Sequence, residues 1–145
     1  MTRSDQTEFL DIITRYYLLL DAFEELEALE ALFTDDAVWT CYAAGAAQPH
    51  LHFDPVAQFR AVAAREGHLA RAAGTRHHVT GLSTVATERG ARSTIKVLVT
   101  IQPDRRRPPL IRETAIVTCD WVRQGDAWKI AYWRIGRDSI DAEPS

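Results

Sequence analysis

From Arg76 onward the chain leaves little freedom of fold. The segments about Arg76 to Thr87, Ala91 to Gln102, Leu110 to Arg123 and Ala127 to Ile135 are long, β-branched and aromatic. Turn signals at Arg89-Gly90, Pro103 to Pro109 and Gln124-Gly125-Asp126 separate them. Strands joined by connections this short are antiparallel neighbours, because a parallel crossover needs a dozen or more residues. A meander of long strands must bury one face, and the chain that precedes it reads as helices. Helices first and strands after predict an α+β domain with helices packed on one face of a curved, mostly antiparallel sheet.

The helical half is read from its periodicity. Phe9, Leu10, Ile13, Tyr16, Tyr17 and Leu20 recur at three- and four-residue spacing, which predicts a helix from Asp5 to about Asp21 with Ser4 as its cap. At about 100° per residue Asp21 falls at the edge of the apolar arc, beside Leu10 and Tyr17, so its carboxylate leans toward the core. A second helix is expected over about Glu24 to Phe33, and Ala37 to Ala43 reads as a strand followed by a small-residue loop, Ala44 to Pro49. Asp54 and Pro55 suggest the start of a third helix, about Pro55 to Ala73, with Val56, Phe59, Val62 and Ala63 inward and Gly74 as its stop.

A chain of 145 residues, 46% of them hydrophobic, is expected to bury its own core as one domain, 1–145. The net charge of -3 offers no general attraction to nucleic acid or to an anionic membrane surface. No segment is apolar enough to span a bilayer or to serve as a secretory leader, and two distant cysteines, Cys41 and Cys119, suit reduced thiols in the cytoplasm. The arginines Arg105, Arg106 and Arg107 lie between prolines and read as a solvated hairpin loop. Trp121, Trp128 and Trp133 have no basic stripe beside them and read as core or dimer-surface aromatics. The last strands carry apolar residues on both sides, such as Val117, Trp121, Ala131 and Trp133, from which a homodimer is expected.

Four segments together resemble the NTF2-like superfamily of cone-shaped α+β domains, specifically its SnoaL-like and scytalone dehydratase-like branch. They are Leu20-Asp21, the run Leu32-Phe33-Thr34-Asp35-Asp36-Ala37-Val38-Trp39, the run Arg76-His77-His78-Val79-Thr80-Gly81, and Gly125-Asp126-Ala127-Trp128-Lys129-Ile130; the resemblance extends over about Thr7 to Asp138. It implies a fold enclosing a pocket. It does not imply one reaction, since the scaffold carries dehydratases, isomerases, cyclases, lyases, epoxide hydrolases and non-catalytic subunits. Position by position, the resemblance makes Asp21 the acid and His78 the histidine of a dyad. It sets Tyr42 where scytalone dehydratase has a tyrosine that holds a carbonyl or water, and Arg134 near an arginine that stabilises a leaving group in hexachlorocyclohexane dehydrochlorinase. The chain departs from scytalone dehydratase at Leu20, where that enzyme has a tyrosine, and in the absence of a second histidine on the strand Thr94 to Gln102. Scytalone is therefore not the expected substrate.

The implied chemistry is proton removal next to a carbonyl or a leaving group by an imidazole whose tautomer a carboxylate fixes. His78 is the expected base, Asp21 its orienter, and Tyr42, Tyr17 and Arg134 the groups that polarise the substrate. Trp39, Phe59 and Leu82 are expected to wall the pocket with Tyr42. The expected activity is a cofactor-independent lyase, isomerase or cyclase acting on a small, apolar, cyclic or polyketide-like molecule. The bland alternatives are that Asp21 caps the next helix, that His78 is a satisfied core histidine, that Tyr17 is core packing and that Arg134 makes a rim salt bridge. His77, on the opposite side of its strand from His78, is expected to face solvent or an interface. The rival functions are a ligand-binding or assembly subunit, as in ring-hydroxylating dioxygenases, and an epoxide hydrolase using Asp21 and Arg134. His50 and His52 put two imidazoles on one side of an extended segment, but metal ligation needs a convergent third ligand, so no metal is expected.

Overall fold

The computed structural model describes residues 1–57, 60, 67, 69 and 71–140. Helix α1 (Arg3–Ala22) begins two residues before the expected start because Thr2, not Ser4, caps it. The Thr2 hydroxyl accepts from the Asp5 amide at 3.1 Å while Asp5 accepts from the Thr2 amide at 2.7 Å, so two otherwise orphaned donors are satisfied reciprocally. Asp5 also accepts from Trp128 Nε1 at 3.0 Å and from the Arg123 guanidinium at 2.7 Å, which ties the helix start to the sheet. Phe23, in the left-handed region with φ 51°, ends α1 by donating its N–H to the Leu19 carbonyl.

The inward face of α1 carries Phe9, Ile12, Ile13, Tyr16, Tyr17 and Leu20, all buried. Burying each large apolar side chain contributes about 1.5–3 kcal/mol, so this stripe is the main force holding α1 to the sheet.

Helix α2 (Leu26–Glu30) is a single short turn, shorter than the expected Glu24 to Phe33. Strand β1 (Phe33–Tyr42) takes the remaining residues, starting ahead of the expected Ala37, because the Leu32 carbonyl and Phe33 engage Ile130 of the last strand. Strand β2 (Leu51–Phe53) pairs with β1 and was not anticipated, since three residues show no alternation.

The expected third helix is seen only in part. Pro55 bends and Val56 and Ala57 turn, with Val56 N–H donating to the Ala37 carbonyl, while Arg60, Gly67, Leu69, Arg71 and Ala72 are helical. Phe59, Val62 and Ala63 lie outside the described residues. Arg60 Nε donates to Glu30 at 3.0 Å, tying this segment to α2.

The remaining strands, β3 (Arg76–Thr87), β4 (Gly90–Ile101), β5 (Leu110–Gln124) and β6 (Ala127–Arg137), fall close to the expected limits. The sheet has six strands in the order β2-β1-β6-β5-β4-β3, antiparallel throughout except for the parallel β1–β6 pair. The expected α+β architecture is therefore the observed one, with the helices on one face of a curved open sheet. Of the residues from which a homodimer is expected, Val117, Trp121 and Trp133 are in the core at 1%, 1% and 0% exposure, so the two tryptophans follow the core alternative rather than the dimer-surface one. The apolar residues left exposed on β5 are Leu110, Ile111 and Ile116.

Three β-bulges decide which side chains enter the concave side. In β3 the pairing passes from Val79↔Val97 to Gly81↔Lys96, leaving Thr80 extra. In β5 it passes from Val99↔Glu113 to Thr100↔Ile111, leaving Arg112 extra, and in β6 from Asp120↔Tyr132 to Trp121↔Ile130, leaving Ala131 extra. Each extra residue shifts the alternation of the strand beyond it by one.

Candidate functional site

A cavity of about 350 Å³ opens between α1 and the concave face of the sheet. Tyr16, Tyr17 and Leu20 reach it from α1, Trp39 and Cys41 from β1, His77 from β3, Val97 and Val99 from β4, Ala115 and Val117 from β5, and Ile135 from β6. A cavity of this size with mostly apolar walls suits a small cyclic molecule.

At its side sits the acid–histidine pair, but it is not the expected one. Asp21 meets His77: Oδ1 lies 2.5 Å from His77 Nδ1, and Oδ2 accepts the His77 backbone N–H at 3.0 Å. A carboxylate only accepts, so Nδ1 carries the proton and Nε2 is left as the ring nitrogen available to a molecule in the cavity. Tyr17 stacks on the imidazole with ring centroids 5.2 Å apart, and both partners are largely screened from water, with side chains 21% and 12% exposed for His77 and Asp21. The lean of Asp21 toward the core, read from the helical wheel, is what brings it to β3.

His78 is exposed and faces away, its Nε2 2.9 Å from Thr100 Oγ1 on β4. The cause is the Thr80 bulge. Leu82 pairs with fully buried Ile95, and strict alternation back from Leu82 selects His78; the extra residue transfers the inward place to His77, opposite Val99. The expectation that His77 faces solvent or an interface is corrected with it.

Tyr42 and Arg134 are together, yet on the convex side. The Arg134 guanidinium carbon lies 4.4 Å from the Tyr42 ring centroid, and Arg134 is exposed. Ala131 explains this: Trp128 and Ile130 face inward before the bulge, and after it Trp133, Ile135 and Arg137 do. An Asp21–Arg134 constellation for epoxide opening does not exist here. Leu82 borders a separate pocket with Gln6, Leu10, Ser83 and Thr84 rather than the cavity wall. Of the expected wall residues, Trp39 is in place, donating from Nε1 to the Tyr16 hydroxyl at 3.0 Å, and Phe59 lies outside the described residues. Tyr17 lines the cavity, and its hydroxyl makes no hydrogen bond among the described residues; burial holds its pKa well above the usual tyrosine value.

A second group of charged residues at the cavity, in the same cross-strand row as His77 through Val99, was missed from sequence. Glu113 and Arg137 form an ion pair at 2.6 Å, 12% and 13% exposed, and Ser139 bonds to the same carboxylate. His50 and Arg112 border them at the mouth. Burial, and secondarily the Arg137 charge, hold the His50 pKa below the usual imidazole value, so His50 is neutral at neutral pH. Burial pushes the neighbouring Cys41 thiol up to about 11, which keeps it protonated. A run of Arg112-Glu113 near the start of β5 and Arg137 at the end of β6 was visible, but nothing in their spacing fixes the bulges that turn them inward. His52 is exposed, and among the described residues no three His, Cys, Asp or Glu side chains cluster as metal ligands. No helix among the described residues is long and apolar enough to cross a membrane.

Residues 1–134 match the family model described as the SnoaL-like domain. The chain is similar in structure to Aln2 from a Streptomyces species (TM-score 0.75, 16% identity, covering 94% of this chain and 93% of that one). It is likewise similar to ActVI-ORFA from Streptomyces coelicolor (TM-score 0.77, 18% identity, 92% and 97%). A chain described as the beta subunit of a putative aromatic-ring-hydroxylating dioxygenase from Novosphingobium aromaticivorans is also similar (TM-score 0.72, 18% identity, 96% and 92%). No curated protein matches the sequence. At these identities the structural likeness establishes the fold, not the reaction.

Proposed function

The chain belongs to the SnoaL-like domain family, and on that footing we propose that it is a cofactor-independent acid–base enzyme that moves a proton next to a carbonyl or a leaving group of an apolar cyclic substrate. Dehydration, isomerisation and ring closure of polyketide-like molecules all begin with such a step. The observation that carries the reading is the doubly anchored dyad: one Asp21 carboxylate holds both the backbone and Nδ1 of His77, with the ring at the wall of an apolar cavity.

In this scheme His77 Nε2 takes the proton from carbon, and the imidazolium that forms is stabilised by Asp21 in surroundings largely closed to water. Tyr17, stacked on His77 and with its hydroxyl unbonded among the described residues, donates to the developing oxyanion. Trp39 and Tyr16, bonded to each other, hold the floor rigid.

The test uses 2-tetralone, a bicyclic ketone with acidic protons next to its carbonyl. The protein is expected to accelerate hydrogen–deuterium exchange at that carbon, followed by NMR. His77→Gln should lower the rate by about 10²-fold or more, the usual scale for a general base, and His78→Gln should leave it unchanged. Exchange by the wild type no faster than buffer would favour the rival reading, a ligand-binding or assembly subunit like the dioxygenase chain it resembles in fold.

A further inference from the structure

The mouth of the cavity carries charge that the proton-transfer scheme does not use. Among the described residues lining the cavity, the acidic and basic side chains other than histidine are Arg112, Glu113 and Arg137. Glu113 and Arg137 neutralise each other as a largely buried pair. Arg112 makes no ion pair among the described residues.

Its position is also built rather than incidental. Glu113 faces the cavity by the alternation of β5, since Ala115, Val117 and Cys119 follow it inward. Arg112 ought then to point to the convex side. It lines the cavity because it is the extra residue of the β5 bulge, so that two consecutive side chains serve one face.

We propose that Arg112 binds a carboxylate carried by the molecule that fills the cavity. This deepens the acid–base reading and rests on it for the identity of the cavity as the substrate site. One guanidinium without a second unpaired cation matches a monoanion; its fork takes the two oxygens of a carboxylate side by side. A phosphate dianion calls for a second positive partner, and none stands here among the described residues, because His50 is neutral and Arg137 is matched by Glu113. The substrate class that follows is amphipathic: an apolar ring system against Trp39, Val97, Val117 and Ile135, with an acidic arm reaching the mouth. Proton abstraction at His77 then occurs on the ring body, and Arg112 sets which way round the body enters.

The experiment compares 2-naphthylacetic acid with 2-naphthylacetamide, which share shape and differ in charge, by calorimetric titration at neutral pH. The acid should bind about fivefold more tightly at low salt, the scale of one partly exposed charge pair, and the preference should shrink as salt is raised. Arg112→Gln should abolish the preference while leaving amide affinity unchanged, and Arg112→Glu should invert it. Arg112 is exposed, so both variants should fold. Equal affinity for the two probes in the wild type, failure of the acid to bind, or a preference that survives Arg112→Gln overturns the proposal. His77→Gln should keep the preference, and wild-type exchange of 2-tetralone no faster than buffer with charge selection intact faults the acid–base reading alone.

Discussion

Replacing Asp21 by Asn tests the dyad at the level of a single proton. The His77 backbone N–H is an obligatory donor, held at 3.0 Å by Asp21 Oδ2. In Asp21→Asn the amide oxygen must take that place, since turning the amide around would set two donors against each other. The amide nitrogen then faces His77 Nδ1, where the carboxylate oxygen stood at 2.5 Å, and a donor there forces Nδ1 to accept. The imidazole proton moves to Nε2, the nitrogen that has to be free to abstract. Turnover should therefore fall by about 10²- to 10⁴-fold, comparable to removing the base, although an isosteric side chain remains. Stability should fall far less. Both hydrogen bonds to His77 survive but pass from charge-assisted to neutral, a loss of about 1–2 kcal/mol. Two measurements are needed: the 2-tetralone exchange rate, and the ¹⁵N shifts of His77, which should report the proton on Nδ1 in the wild type and on Nε2 in the variant. In the double variant with His77→Gln the two losses should not add, because an orienting group has no task once the ring is gone. A wild-type exchange rate in Asp21→Asn, or an unchanged tautomer, refutes the reasoning.

Trp39→Phe deprives the buried Tyr16 hydroxyl of its donor, so urea denaturation should show a loss of about 1–3 kcal/mol with the m-value unchanged. Asp5, whose pKa is held well below the usual carboxylate range chiefly by the Thr2 amide and then by Trp128, contributes stability that is fully present above pH about 4 and is lost as pH falls through its depressed folded value. Asp5→Asn should accordingly lower stability at pH 7 and flatten its decline in acid; a thermal-melt series from pH 7 to 2 that runs parallel to the wild type would show that Asp5 is not the group responsible.

Much of the fold was legible because its signals are periodic and long. The apolar stripe from Phe9 to Leu20 gave α1 and the lean of Asp21, and β-branched runs between turn residues gave β3 to β6 within one or two residues. The short elements were not legible. Strand β2 has too few residues to alternate, and whether Phe33 to Asp36 continue a helix or join a sheet depends on Ile130, far along the chain. Local sequence cannot decide a competition whose winner is set by tertiary pairing.

The site was half legible for a more specific reason. Resemblance pointed to His78, whereas the histidine that meets Asp21 is its neighbour His77, and one position is the difference between the cavity and the solvent when side chains alternate. A bulge is a miscount of one, and it has little sequence signature beyond a small residue nearby, such as Gly81 after Thr80. The bulges at Thr80, Arg112 and Ala131 fall on three different strands, and each changes the cavity's chemistry: the first exchanges His78 for His77, the second adds Arg112 beside Glu113, and the third exchanges Arg134 for Arg137. Without them the concave side would present His78 opposite Val99, and Arg134 opposite Val117 in the place of Ile135. The sheet's irregularities, rather than its regular ladders, assign the residues that face the cavity.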